Sequence, residues 1–238
     1  EALGGVTYLG FNMQKPRWRN PDLRRGVALA MDKAQLAAEG PFLVARTPLS
    51  PAASGYSPSV ADSELPFDPE RARALLSETG QTRQTEVILL VPESSTYARL
   101  ADAVEEQLRA VGLGNIRRSV LTREQILTER RDFDLLLFDY AWSDFTALGI
   151  FLGPGPRNLL GYSGGEVSDL VRVALEDVAP ERREDAIQAM QRLVLEEALW
   201  QPLLIRKLTF AVNQACVTGG GQGAFGELDF SHAVTSGG

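Results

Sequence analysis

The stretch Asp132-Phe133-Asp134-Leu135-Leu136-Leu137-Phe138-Asp139-Tyr140-Ala141-Trp142-Ser143-Asp144-Phe145 decides the fold. Its apolar run, Leu135 to Phe138, is bounded by acids and is too short for a core helix. It reads as a strand buried on both faces, the kind found in α/β sheets covered by helices. Ligands of open α/β sheets collect outside the carboxyl ends of the strands. Just past this strand's end come Tyr140, Trp142, Ser143, Asp144 and Phe145, which would bring an aromatic surface and one anionic anchor to that crevice. Strand alternation leaves a second orientation open for Tyr140, toward the core. Trp142 as a core residue and Asp144 as a loop cap form the other reading of the pair.

The pattern around this stretch agrees with an α/β sheet. Glu86 to Val91 reads as a buried strand, and Ser95 to Val111 as an amphipathic helix with Leu100, Val104, Leu108 and Val111 on one stripe, ended by Gly112. Ile116 to Val120 can form a short strand, and Thr122-Arg123-Glu124-Gln125 is a capping box opening a short helix. The middle of the chain is thus β-α-β-α-β, which favours a largely parallel sheet flanked by helices. Val6 to Met13 is rich in β-formers. Asn20-Pro21-Asp22 and Asp68-Pro69-Glu70 each place a capping side chain, a proline and an acid where a helix starts. Residues 40–67, with five prolines, read as a long ordered loop or linker. Beyond residue 145 come a turn-rich segment through Gly165, helices over 166–178 and 181–199, a last strand from Gln201 to about Val212, and a glycine-rich tail.

The chain has 238 residues, 44% hydrophobic and 23% charged, with net charge -7. This is ordinary globular composition, and no Lys/Arg-rich run marks a nucleic-acid footprint. The pairs Arg24-Arg25, Arg117-Arg118 and Arg130-Arg131 read as solvated helix faces or strand edges. A single cysteine, Cys216, rules out an internal disulfide and leaves the redox compartment open. No apolar stretch approaches the roughly 18 residues of a membrane-spanning helix. The first residues do not read as a signal peptide and run into strand-like sequence almost at once, so the expectation is a fragment of a longer protein.

Catalytic and metal chemistry have little to stand on. The one histidine, His232, lies in the tail, so a Ser-His-Asp or Cys-His arrangement has no base. One Cys and one His are too few for zinc; an all-carboxylate magnesium or calcium site stays open, though no calcium-loop motif occurs. Gly221-Gln222-Gly223-Ala224-Phe225-Gly226 matches a nucleotide-loop pattern but opens no helix. The expectation is a protein that is not an enzyme and uses no metal or other cofactor.

Several segments, in order, resemble one family. Tyr8-Leu9-Gly10-Phe11-Asn12-Met13 followed by Asn20-Pro21-Asp22-Leu23-Arg24-Arg25-Gly26-Val27-Ala28-Leu29-Ala30-Met31-Asp32-Lys33 is similar to the hinge strand and first helix of the extracytoplasmic solute-binding proteins of peptide and nickel ABC importers. Leu65-Pro66-Phe67-Asp68-Pro69-Glu70-Arg71-Ala72-Arg73-Ala74-Leu75-Leu76, the run from Ala103 to Gly112, and Asn158-Leu159-Leu160-Gly161-Tyr162-Ser163 resemble three further segments of that family. The resemblance spans about residues 6–212. It implies the second, C-terminal lobe of a two-lobed protein with a periplasmic-binding-protein type II-like fold, residues 1–238 forming a single domain. Residues 6–13 and 203–213 would be strands crossing between lobes, and residues 214–238 a tail that packs on the first lobe.

The resemblance also implies a function. It points to the ligand-binding lobe of an ABC-transporter substrate-binding protein for oligopeptides, dipeptides or a related small polar solute. The expected partners are that solute and a membrane permease, with no nucleic acid and a monomeric protein. The expected location is extracytoplasmic, in the periplasm or on the outer face of the cell membrane, with lipid anchoring open. In peptide-binding members a Trp followed by an acid faces the ligand, and the acid pairs with the peptide's α-amino group. Here that implies Trp142 and Asp144, with Tyr140, Ser143 and Phe145 beside them. The spacing is two residues where the family usually has three, and Gly164-Gly165 stands where Asn-Pro is usual. The alternative is the solute-sensing domain of a cytoplasmic transcriptional regulator. A hydrolase on an α/β scaffold is disfavoured by the single tail histidine and the missing G-x-S-x-G motif.

Overall fold

In the computed structural model, the description covers residues 2–129, 132–141, 144–153, 155, 158–208, 217–218, 221–222, 228–229 and 234–235. Among them one sheet is built from β1 (Ala2–Phe11), β2 (Phe42–Val44), β3 (Glu86–Pro92), β4 (Asn115–Leu121), β5 (Leu135–Tyr140) and β6 (Trp200–Leu208), in the spatial order β2-β6-β1-β5-β3-β4. The helices are α1 (Pro21–Leu29), α2 (Lys33–Ala37), α3 (Pro69–Glu78), α4 (Ser95–Ala110), α5 (Arg123–Thr128), α6 (Thr146–Leu152), α7 (Gly165–Glu176) and α8 (Pro180–Glu196).

The apolar runs behave as doubly covered strands should. Leu135 and Leu137 join one core cluster, under α1, α3 and α4, while Leu136 and Phe138 join the other, under α6, α7 and α8. In β3, Val87, Leu89 and Val91 divide from Ile88 and Leu90 in the same way. Period-two alternation therefore feeds two helical layers from one central sheet. Each fully buried Leu of this kind contributes roughly 1.5–3 kcal/mol relative to exposure.

The sheet is mixed, which corrects the expectation of a mostly parallel one. Strands β5, β3 and β4 are parallel, joined by the expected β-α-β-α-β segment. The other half is antiparallel: β1 pairs with β5 and β6, and β2 pairs with β6. The reason lies in the connections. β1 and β6 enter and leave the parallel unit from segments remote in sequence, so the crossover rule that makes a β-α-β unit parallel does not constrain them. Gly5 permits a close approach there. A Cβ at this position would lie 2.1 Å from the Tyr140 carbonyl oxygen, and the β1–β6 register shifts across Gly4 and Gly5.

Helix starts follow the sequence signals. The Asn20 side chain accepts from the Asp22 amide, and Asp68 from the Arg71 amide. Both halves of the Thr122–Gln125 capping box are present. Gly80 and Gly112, with φ of +76° and +109°, follow the ends of α3 and α4. Elements not expected include α2, a separate helix capped by the Asp32 side chain, the short strand β2 inside the proline-rich segment, and α6 directly after residue 145. That proline-rich segment is ordered by apolar anchors at Ala45, Leu49, Ala53 and Val60 and by Lys33, whose Nζ donates to Ala45 O and to Glu64. Among the described tail residues, Val217–Thr218 pairs with Val234–Thr235, and Gly221–Gln222 with Leu228–Asp229. His232 and the rest of the glycine motif lie outside the described residues.

Two buried charges hold the layers in register. Arg24, expected on a solvated helix face, is instead 4% exposed. Its guanidinium donates to the carbonyls of Trp18, Arg19, Glu197 and Ala198, at 2.7–3.1 Å. It thereby satisfies the open end of α8, where helix carbonyls lack partners and cations are favoured. Arg25 and the β4 pair Arg117-Arg118 do lie at the surface or edge, and Arg130-Arg131 lies outside the described residues.

Asp134 is 1% exposed at the head of β5. Its carboxylate accepts from Trp18 Nε1 at 2.9 Å, from Arg17 Nε at 3.1 Å and from the Ile88 amide at 2.9 Å, with Lys15 Nζ at 3.2 Å. Burial alone would raise its pKa, but the hydrogen bonds from Arg17, the Ile88 amide and Trp18 outweigh it and hold the group below the usual carboxylate range. A depressed folded-state pKa gives stability that is present above the ordinary carboxylate pKa of about 3.9 and is lost as pH falls through the folded value. Asp134→Asn is expected to lower stability near neutral pH by about 3–5 kcal/mol, because it removes the buried charge that Arg17, Lys15 and the Trp18 indole are arranged around. The variant should also lose less stability than the wild type on acidification. Urea midpoints collected from neutral to acidic pH check both, and parallel acid limbs would remove Asp134 from this role.

Candidate functional site

Four of the sheet's strands, β3, β4, β5 and β6, end at one edge, because all four run in the same direction. That edge carries the segment that follows β5. Asp144 is half-buried, and its Oδ1 accepts from the Thr146 amide at 2.8 Å and from the Thr146 hydroxyl. The carboxylate thus organises the first turn of α6. The Asp144 backbone forms a parallel bridge with Ser54, so the proline-rich segment docks against it. Phe145 is half-buried against the α6–α8 core cluster. Trp142 and Ser143 lie outside the described residues.

Tyr140 is half-buried at the end of a ladder of rings on the same face as α6–α8. It stacks on Tyr8 with centroids 6.1 Å apart and planes 2° from parallel, and meets Phe138 edge-on at 5.2 Å. Tyr8 in turn contacts Trp200 at 5.9 Å. Offset and edge-to-face pairs of this kind give a rigid platform at low entropic cost. Burial first, then the neighbouring Tyr140, Tyr97 and Asp139, pushes the Tyr8 phenol well above its ordinary value. It therefore stays neutral. Trp18 and Trp200, read as packing residues, are 1% and 2% exposed.

A second group at this edge has no obvious sequence signature. Asp139 pairs through Oδ1 with Arg123 Nη1 at 2.6 Å and with the Tyr97 hydroxyl at 2.5 Å. Arg123 Nη2 donates to the Asp139 carbonyl at 2.7 Å, and its guanidinium lies 4.4 Å from the Phe138 ring centroid. Arg206 of β6 approaches Asp139 Oδ2 at 3.7 Å. Burial, then the adjacent Asp139 carboxylate, raises the Tyr97 pKa far enough that it remains a donor. The one available signal was an acid inside an otherwise apolar strand, which requires a cation nearby. The partners come from α4, α5 and β6, and no local pattern announces them.

The segment behind the edge is pinned by Gln191 of α8, fully buried, whose Nε2 donates to Gly55 O at 2.8 Å. Gly55 has φ +87°, and a Cβ there would lie 3.0 Å from Ile187 Cγ2 and 3.1 Å from Phe145 Cβ. A cavity of about 190 Å³ lies elsewhere, beside Asn12, Gln14 and Phe133 near the amino end of β5. Among the described residues, no group of three or more His, Cys, Asp or Glu side chains is placed to hold a metal, and no helix is long and apolar enough to cross a membrane.

Residues 1–152, more than half of the chain, match the family described as bacterial extracellular solute-binding proteins, family 5 middle. The chain belongs to this family. It is 24% identical over 222 residues to the glutathione-binding protein GsiB of Escherichia coli strain K12, an alignment covering 86% of this chain and 43% of that protein. It is 25% identical over 248 residues to di/tripeptide-binding protein 2 of Pseudomonas aeruginosa, covering 97% of this chain and 46% of the relative. Among solved structures, the dipeptide-binding protein of Pseudoalteromonas sp. SM9913 in complex with Met-Leu shares the fold. It superimposes with a TM-score of 0.75 at 21% identity over 99% of this chain and 50% of that one. The chain thus spans less than half the length of these curated relatives. Family 5 members are binding proteins that work outside the cytoplasm, and the α/β architecture of this chain is theirs.

The docked turn at Gly55 generates a test. Gly55→Ala should cost about 1–3 kcal/mol, since the left-handed backbone and two close neighbours both oppose a Cβ. Urea denaturation reads this out, and an unchanged midpoint would mean that the segment is not held against Phe145 and α8.

Proposed function

We propose that this chain is the ligand-binding second lobe of a two-lobed substrate-binding protein that delivers short peptides, or a related small polar solute, to an ABC permease. The observation that carries this reading is the family match over residues 1–152, together with an aromatic and acidic segment at the carboxyl edge of the sheet. Relatives named for glutathione and for di- and tripeptides favour peptide-like ligands. They also favour transport over the sensor domain of a cytoplasmic regulator. In this reading β1 and β6, central and adjacent in the sheet, are the strands that continue toward the other lobe. Residues 214–238 pack on that lobe, and the whole protein is an extracytoplasmic monomer. Closure of the two lobes about those strands would trap the solute.

Asp144 is the residue to which we assign the solute's ammonium group, with Trp142, Tyr140, Ser143 and Phe145 forming the surrounding wall. A carboxylate shielded in a closing cleft makes a charge-assisted hydrogen bond to an amine. In the two-lobed parent, Asp144→Asn should weaken trialanine by about 1–3 kcal/mol while leaving N-acetylated trialanine unchanged. The asparagine retains an oxygen for the Thr146 amide, so folding should be unaffected. Calorimetry with the two peptides reads the difference, and equal affinities for wild type and variant would take Asp144 out of the site. The 238-residue chain by itself should fold yet bind trialanine weakly, because half the cleft is missing. Sub-micromolar binding by the isolated chain would contradict the two-lobe reading.

A further inference from the structure

Asp139, Arg123 and Arg206 form a group whose charges do not cancel, with two guanidinium groups around one carboxylate. The two arginines are not equivalent. Arg123 is fully engaged, with one nitrogen on the Asp139 carboxylate, another on its carbonyl, and the Phe138 ring beneath. Arg206 is held only loosely. Its Nη2 lies 3.7 Å from Asp139 Oδ2, beyond hydrogen-bond reach, and its side chain is 39% exposed. Asp139 is 16% exposed and already accepts from Arg123 and the Tyr97 hydroxyl through its other oxygen. It therefore orients Arg206 without saturating it.

The position gives this spare charge a use. Arg206 lies on β6 near its carboxyl end, and Asp139 is next to Tyr140, at the start of the segment that carries Asp144. The cationic fork and the aromatic and acidic segment thus share the edge where ligands of α/β sheets collect. A planar guanidinium with free donors matches a carboxylate in bidentate fashion. We propose that Arg206 is a specificity-determining residue that binds a carboxylate of the solute, with Asp139 as its positioning residue. The inference rests on the peptide-binding reading above. The carboxylate has two sources in a short peptide, the C-terminus or an acidic side chain, and the chemistry at Arg206 is common to both.

The test is calorimetry on the full two-lobed protein with two matched pairs: trialanine against its C-terminal amide, and Ala-Glu-Ala against Ala-Gln-Ala. Wild type should prefer the carboxylate member of at least one pair by about tenfold or more, the loss expected for one charged hydrogen-bonded contact. The preferred pair identifies the source. Arg206→Gln should bring that ratio to within roughly twofold of unity and leave the neutral member's affinity in place, whereas Arg206→Lys should keep part of the preference. The Asp139→Asn variant should reduce the preference without abolishing it. A ratio that survives Arg206→Gln, or an equal loss on every peptide, overturns the inference while the peptide reading stands. Failure of the wild type to bind any of the four overturns the peptide reading, and this inference with it.

Discussion

The buried carboxylate of Asp134 is the constraint on which the rest of the molecule depends. It sits where β5 begins and collects a strand amide from β3, an indole N–H from the turn after β1, and two cationic side chains. One group thereby fixes the starting register of the parallel unit against the antiparallel half of the sheet. Without these donors the desolvation of a carboxylate at that depth would be prohibitive. With them, the apolar residues that follow enter the sheet in a defined phase. A slip by one residue would send Leu135 and Leu137 into the wrong layer. The parity that separates the two cores is therefore set by a polar interaction at the strand's head.

The same phase determines what emerges at the other end. Asp139 turns toward Tyr97 of α4, and Tyr140 stacks on Tyr8 over the opposite layer. The strand end is thus two-sided, with charge on one side and rings on the other. The chain then runs into Asp144, whose carboxylate organises α6, and meets Ser54 from a segment 90 residues earlier. Gln191 of α8 backs that contact by donating to the Gly55 carbonyl. An acid that accepts from both the amide and the hydroxyl of Thr146 has a restricted rotamer, so this turn is ordered by its own side chain.

Much of this was legible in the chain. Caps at Asn20, Asp68 and Thr122 are local chemistry, and local signals survive folding well. The doubly buried strands were evident from unbroken apolar runs, and the family resemblance was confirmed by the match to residues 1–152. What was hidden came from pairing at a distance. The antiparallel half of the sheet depends on β1 meeting β6, which no period along the chain encodes. Helix α6 was obscured by the glycines and prolines that follow it. Arg24 looked like a surface charge because its partners are backbone carbonyls, which carry no sequence signature. The Asp139 cluster was missed for the same reason, since Tyr97, Arg123 and Arg206 come from three separate elements.

The pairing of Ala2 with Leu208 carries a kinetic meaning. These partners are roughly 200 residues apart, and the strands they belong to occupy the middle of the sheet, so the entropy of closing that loop must be met before the two halves can join. The β3-α4-β4-α5-β5 unit, whose contacts are near in sequence, is then the natural first structure to condense during synthesis. The hydrogen-bonding edge of β5 stays open until β1 docks, and the far edge of β1 stays open until β6 leaves the ribosome. Completion of this sheet should accordingly be limited by the arrival of β6 rather than by the formation of the first layer.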